Sequence, residues 1–488
     1  MSRLLDRRRA GVLLHISSLP NGDLGEDAFR FVDFLARIGA TVWQTLPLNI
    51  THDDGSPYQG LSAHAGNPAF ISLRGLQKEG LLTEEELNLS LDSDALIQKA
   101  HQNFQRHSCP ESKADFISFC QVQSYWLDDF SLFISLRKHF QFVCWHDWPI
   151  HLRLHEDNSI KKAELDFAHE ISLIKFTQYL FFKQWHALKL YANSKNIALF
   201  GDIPLFISYD SADVWSQSHL FKLDQNLDMT VVAGVPPDYF SLTGQRWGNP
   251  HYCWKTMQAD GFQWWLNRIR TQNEMFDMVR IDHFRGLQAA WEIPVNKLTA
   301  IYGSWVEAPG EELLETIKSH FPSLTLVAED LGIITQEVDA LRENFNLPGL
   351  KILQFAFDGN PDNPYLPEQF TENSVVYTGT HDNDTTLGWF SSLNDEQKQL
   401  FYSYLKVHFG LDEQTVKIPQ SLIEIAFASK ACIAIIPMQD ILRLGNEHRM
   451  NTPGTIEKNW QWQFDWSQLT SEIEEDFVKT IKKYHRNH

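Results

Sequence analysis

The stretch "MFDMVRIDHF" at 275–284 opens on apolar residues and closes on Asp282, flanked by Arg280 and His283, with Arg285 just beyond. A short apolar run that ends in charged residues is how a strand buried on both faces reads when its last residue emerges into solvent. Seven more runs share the pattern: "GVLLHISS" at 11–18, "TVWQTLPL" at 41–48, "IALFGDIPLFI" at 197–207, "LTLVAEDLG" at 324–332, "LKILQFAFD" at 350–358, "SVVYTGTHDND" at 374–384 and "ACIAIIPMQD" at 431–440. Helical patterns lie between several of them. In "DGFQWWLNRIR", Phe262, Trp265, Leu266 and Ile269 recur at helical spacing behind Asp260, which reads as the N-cap. Eight buried strands alternating with helices predict an α/β fold, a (β/α)8 TIM barrel, with a doubly wound open sheet as the alternative.

Strand spacing is uneven: roughly 150 residues separate the second and third runs and about 70 the third and fourth. The expectation is a single catalytic barrel domain over 1–488 with two large insertions after barrel strands: a mostly helical one at 50–195 and an active-site loop insertion at 208–260. Loops that follow barrel strands build the functional face, so both should roof the site. Only a short tail follows "NWQWQFDW", so no C-terminal β-sandwich is expected.

Composition narrows the partners. The chain is 43% hydrophobic and 21% charged with a net charge of −20, which disfavours nucleic acid and anionic membrane surfaces. No run of about 18 apolar residues predicts a membrane helix. Cysteines 109, 120, 144, 253 and 432 are odd in number and scattered, which suggests neither disulfide framework nor zinc site and fits a cytoplasmic protein. No histidine pair at i, i+4 suggests a metal.

At the strand ends stand Asp202, Asp282, Glu329, Asp330, His381 and Asp382. Polar residues at the carboxyl ends of different strands point into one bowl in a barrel. Glycoside chemistry needs such a set: an ionised carboxylate, a second carboxyl that keeps its proton, and negative charge near a developing oxocarbenium ion. Asp282, Glu329 and Asp382 could supply these. Side chains alternate along a strand, so Arg280 shares a face with Asp282 and could hold it ionised. Each residue alone would more often be an ion pair or a loop cap; together they point to a barrel hydrolase or transferase. "AGVPPDYFSLTGQRWGNP" at 233–250 reads as an ordered but mobile loop whose Tyr239, Phe240 and Trp247 could stack on sugar rings or simply pack the insertion. Tyr58 in "SPYQ" could line a sugar site or simply anchor a turn.

These motifs, with "SADVW" at 211–215 and "RMNTPGT" at 449–455, occur in an order that resembles the 4-α-glucanotransferases (amylomaltase or disproportionating enzyme), relatives of the α-amylase clan. The resemblance covers nearly the whole chain. It implies retaining transfer of an α-1,4-glucan segment to a 4-hydroxyl of glucose or another maltooligosaccharide, without cofactor or metal. Asp282 would be the nucleophile, Glu329 the general acid/base and Asp382 the transition-state stabiliser. Arg280 and His381 would bind around the nucleophile, Asp238 would assist from the loop beside Tyr239, Phe240 and Trp247, and Ser56 and Tyr58 would belong to the outer sugar surface. The chain departs from the family pattern at Asn21, where a longer Gly-rich turn is usual, and at "LPLNIT" (46–51), where a Gly-Pro pair is usual. Acceptor preference is where those differences would act. The alternatives are an α-amylase-like hydrolase and a non-catalytic glucan-binding protein.

Overall fold

A computed structural model describes residues 4–237, 241–455 and 457–487. Its core is a ring of eight parallel strands: β1 (Arg9–Leu13), β2 (Val42–Gln44), β3 (Ala198–Ile203), β4 (Met278–Ile281), β5 (Thr325–Ala328), β6 (Gly349–Ile352), β7 (Ser374–Tyr377) and β8 (Ile433–Pro437). They pair in the order β6-β7-β8-β1-β2-β3-β4-β5, so every strand lies beside its sequence neighbour and β8 returns to β1. That cyclic order is a barrel and excludes the doubly wound sheet. The remaining seam, β5 to β6, is spanned by the Ala328 N–H, which donates to the Pro348 carbonyl at 2.9 Å, and by the Leu350 N–H, which donates to the Asp330 carboxylate at 2.6 Å. Each of the eight strands overlaps one of the eight apolar runs, because each carries buried side chains on both faces.

Helices cover the barrel, among them Glu26–Ile38, Gln263–Met275, Gly310–His320 and Ser471–Lys483. The Gln263–Met275 helix buries Trp265, Leu266 and Ile269, but its start differs from expectation. Asp260 is not the N-cap. Phe262 holds that position at φ 59°, because its ring is buried and the Gly261–Phe262 pair turns through left-handed backbone to bring it inward; Asp260 still accepts the Gln263 N–H at 3.2 Å.

Between β2 and β3 the chain forms a series of helices that ends in the 27-residue helix Ala168–Ser194. Gln178 and Gln184 on that helix each make a two-way amide bridge to backbone, at Gly66 (2.9 and 2.9 Å) and Ser72 (2.8 and 3.1 Å). These bridges fix the loop after β2 over the barrel mouth. A second sheet of four antiparallel strands, Gln245–Pro250, Val231–Val235, Ala289–Pro294 and Ser304–Glu307 in that order, flanks β3 and β4.

Candidate active site

The carboxyl ends of β3, β4, β5 and β7 deliver the charged groups. Asp202 on β3 stands directly across from Arg280 on β4 in the strand register. One terminal nitrogen of Arg280 donates to both Asp202 oxygens at 2.8 and 2.7 Å, and the other lies 2.7 Å from Asp282 Oδ1. The Tyr58 hydroxyl donates to Asp202 Oδ2 at 2.8 Å. Burial alone would weaken the guanidinium's charge; Asp202 and Asp282 outweigh it and raise the Arg280 pKa well above its ordinary value.

Glu329 follows β5 as Asp282 follows β4, and the paired register of those strands puts the two carboxylates side by side. Glu329 Oε2 accepts the His283 N–H at 2.7 Å and Oε1 accepts the Leu331 N–H at 3.0 Å. Burial is the largest influence on this carboxyl and Asp282 adds to it; against Arg280 and the two N–H groups they lift it to about 7. A group poised there can give a proton and take it back near neutrality. His283 itself, at φ 54°, turns the chain so that its own N–H faces Glu329.

Asp382 behaves in the opposite way. Desolvation would raise the pKa of this half-exposed carboxylate, but His381 Nε2 at 3.3 Å and Asn451 Nδ2, donating at 2.7 Å, bring it below the ordinary carboxylate range. Its partner His381 is raised above 6.5, because Asp382 overcomes the effect of burial. The His381 ring stacks on Tyr58 with centroids 5.2 Å apart and planes at 15°. Trp460 tilts against both rings.

Of the remaining candidates, Ser56 shapes the turn before Tyr58, whose N–H it accepts at 3.4 Å. Trp247, on the edge strand of the antiparallel sheet, meets His283 edge-on at 4.8 Å. Asp238, Tyr239 and Phe240 lie outside the described residues. Asp330 stands at a strand end but faces away from this cluster: it bonds Leu350 and pairs with Arg342 at 3.2 Å, closing the barrel. Asp202, Asn451 and Trp460 belong to the cluster although sequence reasoning gave them no role. The strand-end position of Asp202 was a signal; for Asn451, only its place in "RMNTPGT" was.

A sequence-family model described as 4-alpha-glucanotransferase matches residues 14–469. A 4-alpha-glucanotransferase of Thermus thermophilus is 43% identical over 482 residues, covering 95% of this chain and 96% of the relative. One from Synechocystis sp. is 43% identical over 487 residues, covering 96% and 95%. Among solved structures, an amylomaltase from Streptococcus agalactiae in complex with acarbose superposes with a TM-score of 0.93 at 35% identity, covering 99% of this chain and all of that one.

Proposed function

The chain belongs to the 4-α-glucanotransferase family, its activity is glucan transfer on α-1,4-glucans, and we propose that it proceeds by double displacement on Asp282. In this reading Glu329 protonates the glycosidic oxygen while Asp282 attacks the anomeric carbon. The freed glucan end departs, leaving a covalent glucosyl-enzyme. The 4-hydroxyl of glucose or of another maltooligosaccharide then enters; Glu329, now a carboxylate, removes its proton as the sugar–Asp282 bond breaks. Asp382, held ionised, stabilises the oxocarbenium character of both transition states.

The observation that carries this assignment is the asymmetry between neighbours: Asp282 is paired with a guanidinium at 2.7 Å, whereas Glu329 is lifted to about 7. An acid and a nucleophile need that difference.

Around these three, Arg280 and His381 serve as sugar-site donors, Tyr58 and Trp247 as ring-stacking surfaces, and Ser56 as part of the outer sugar surface; Asp238, Tyr239 and Phe240 remain proposals from sequence. The segments 50–195 and 208–260 act as the roof that favours a sugar hydroxyl over water. A reducing cytoplasm suits the five free thiols. Incubation with maltotriose tests the reading: glucose together with a ladder of longer oligosaccharides is expected, and hydrolysis products without longer chains would identify a hydrolase instead.

A further inference from the structure

The antiparallel sheet beside the barrel mouth carries an apolar rim that the chemistry above does not use. Leu242 is 90% exposed, Leu298 94%, Tyr302 65% and Trp305 37%, with Ile301 also open to solvent. Hydrogen bonds make these one surface. The Ala300 N–H donates to the Thr243 carbonyl at 3.1 Å, tying the turn that bears Leu242 to the turn that bears Ile301 and Tyr302. The Trp291 indole donates to the Ala300 carbonyl at 2.8 Å, and Trp291 stands opposite Trp305 in the strand register, their rings edge-to-face at 5.1 Å.

The inner end of this surface meets the turn that follows β4. The Arg285 guanidinium lies 3.6 Å over the Trp305 ring, and Arg285 follows Asp282 by three residues. Arg285 also donates to the carbonyl of Ile333, four residues beyond Glu329. Arg285 thus joins Trp305 to the loop that follows Asp282, and Tyr302 precedes Trp305 by three residues at the outer edge of the sheet.

A contiguous exposed apolar patch on a globular protein marks an interaction surface. Its chemistry fits a neutral, ring-built chain: aromatic faces stack on the C–H faces of pyranose rings, and an uncharged polymer is indifferent to the protein's net charge of −20. We propose that Tyr302 and Trp305, flanked by Leu298 and Ile301, bind the part of a long α-1,4-glucan that extends past the sugars held by the catalytic groups. This rests on the transferase reading, whose substrates include chains long enough to span from bowl to rim. The surface would make the enzyme prefer long glucans over short ones by holding their remote units.

The test compares kcat/KM for amylose with that for maltotriose in the wild-type protein, in Tyr302→Ala and in Tyr302→Ala/Leu298→Ser. Loss of one stacking ring lowers the amylose-to-maltotriose ratio about five- to tenfold, chiefly through KM for amylose, and Tyr302→Trp restores it. An unchanged ratio in both variants overturns the proposal. So does a wild-type dimer that becomes monomeric in the double variant while the ratio stays constant, since the patch then serves a second copy of the chain. If the wild-type protein forms no longer oligosaccharides from maltotriose, the transferase reading itself fails, a result obtained without reference to the rim.

Discussion

One terminal nitrogen of Arg280 lies 2.8 and 2.7 Å from the two carboxylate oxygens of Asp202, which leaves the other free for Asp282 at 2.7 Å. Asp202 and Arg280 are both buried, so each depends on the other for compensation. Asp202 thereby acts through Arg280: it fixes the guanidinium in the one orientation that reaches the nucleophile.

Asp202→Ala should therefore cost up to about 3 kcal/mol of stability, the low end of the penalty for breaking a buried ion pair, because Asp282 still faces the guanidinium. It should also lower kcat by up to about a hundredfold, the scale associated with small misplacement of a reacting group. Urea denaturation and maltotriose disproportionation read the two effects separately. In a double-mutant cycle with Arg280→Ala, the losses should be strongly non-additive; additive losses would mean that the contact does not matter.

The elevated Glu329 sets the pH response. As general acid it must be protonated in the free enzyme, so kcat/KM should fall as pH rises through about 7. Stability moves in the same direction. A carboxyl raised from 4.5 in the folded state is tolerated below that value, and its penalty grows until pH passes the folded pKa of about 7. Glu329→Gln should abolish turnover and raise the melting temperature more at pH 8 than at pH 4. An equal gain at both would contradict a raised pKa.

At the opposite end of the barrel, Arg486 is fully buried and donates to the carbonyls of Phe427, Arg9, Ala431, Ala426 and Ser429 at 2.8–3.3 Å. Arg9 begins β1 and Ala431 precedes β8, so this one side chain laces the entry of two barrel strands to the helix Gln420–Ala428. Arg486→Ala orphans several buried acceptors at about 1–3 kcal/mol each, part of which entering water would recover. A net loss of about 3 kcal/mol or more in urea denaturation is expected, with kcat at 25 °C unaffected.

The barrel was readable because its strands are covered on both sides, and continuous apolar runs carry that signal without periodicity. The antiparallel sheet was not. Its edge strands, "QRWGNP" and "SWVE", face solvent for much of their length and have neither an apolar run nor strict alternation. In the site, strand ends pointed to Asp282, Glu329 and Asp382, but the same criterion also selected Asp330, which closes the β5–β6 seam. Position at a strand end says that a side chain reaches the rim, not which neighbour it meets there. Asn451 and Trp460 arrive from a stretch beyond β8, where only the folded chain brings them to Asp382 and Tyr58.

The His381–Asp382 pair provides a direct probe of the stabilising charge. Asp382 keeps His381 above its ordinary 6.5 despite burial, and His381 with Asn451 keeps Asp382 ionised. The raised histidine contributes stability that is fully present below pH 6.5 and is lost as pH rises through its folded pKa; the depressed aspartate contributes stability present above its unfolded value of 3.8 and lost only as the solution becomes strongly acidic. Replacing Asp382 with Asn leaves His381 with burial and the Arg280 charge acting against its protonation, only partly offset by Asp202. Its ring should then titrate below 6.5, as followed by NMR of the imidazole C–H resonances. The same variant should lose kcat by several powers of ten while retaining affinity for maltotriose, because the missing charge matters most in the transition state. A His381 titration that does not move would show that the ring takes its charge from elsewhere, and kcat near the wild-type value would remove Asp382 from the mechanism.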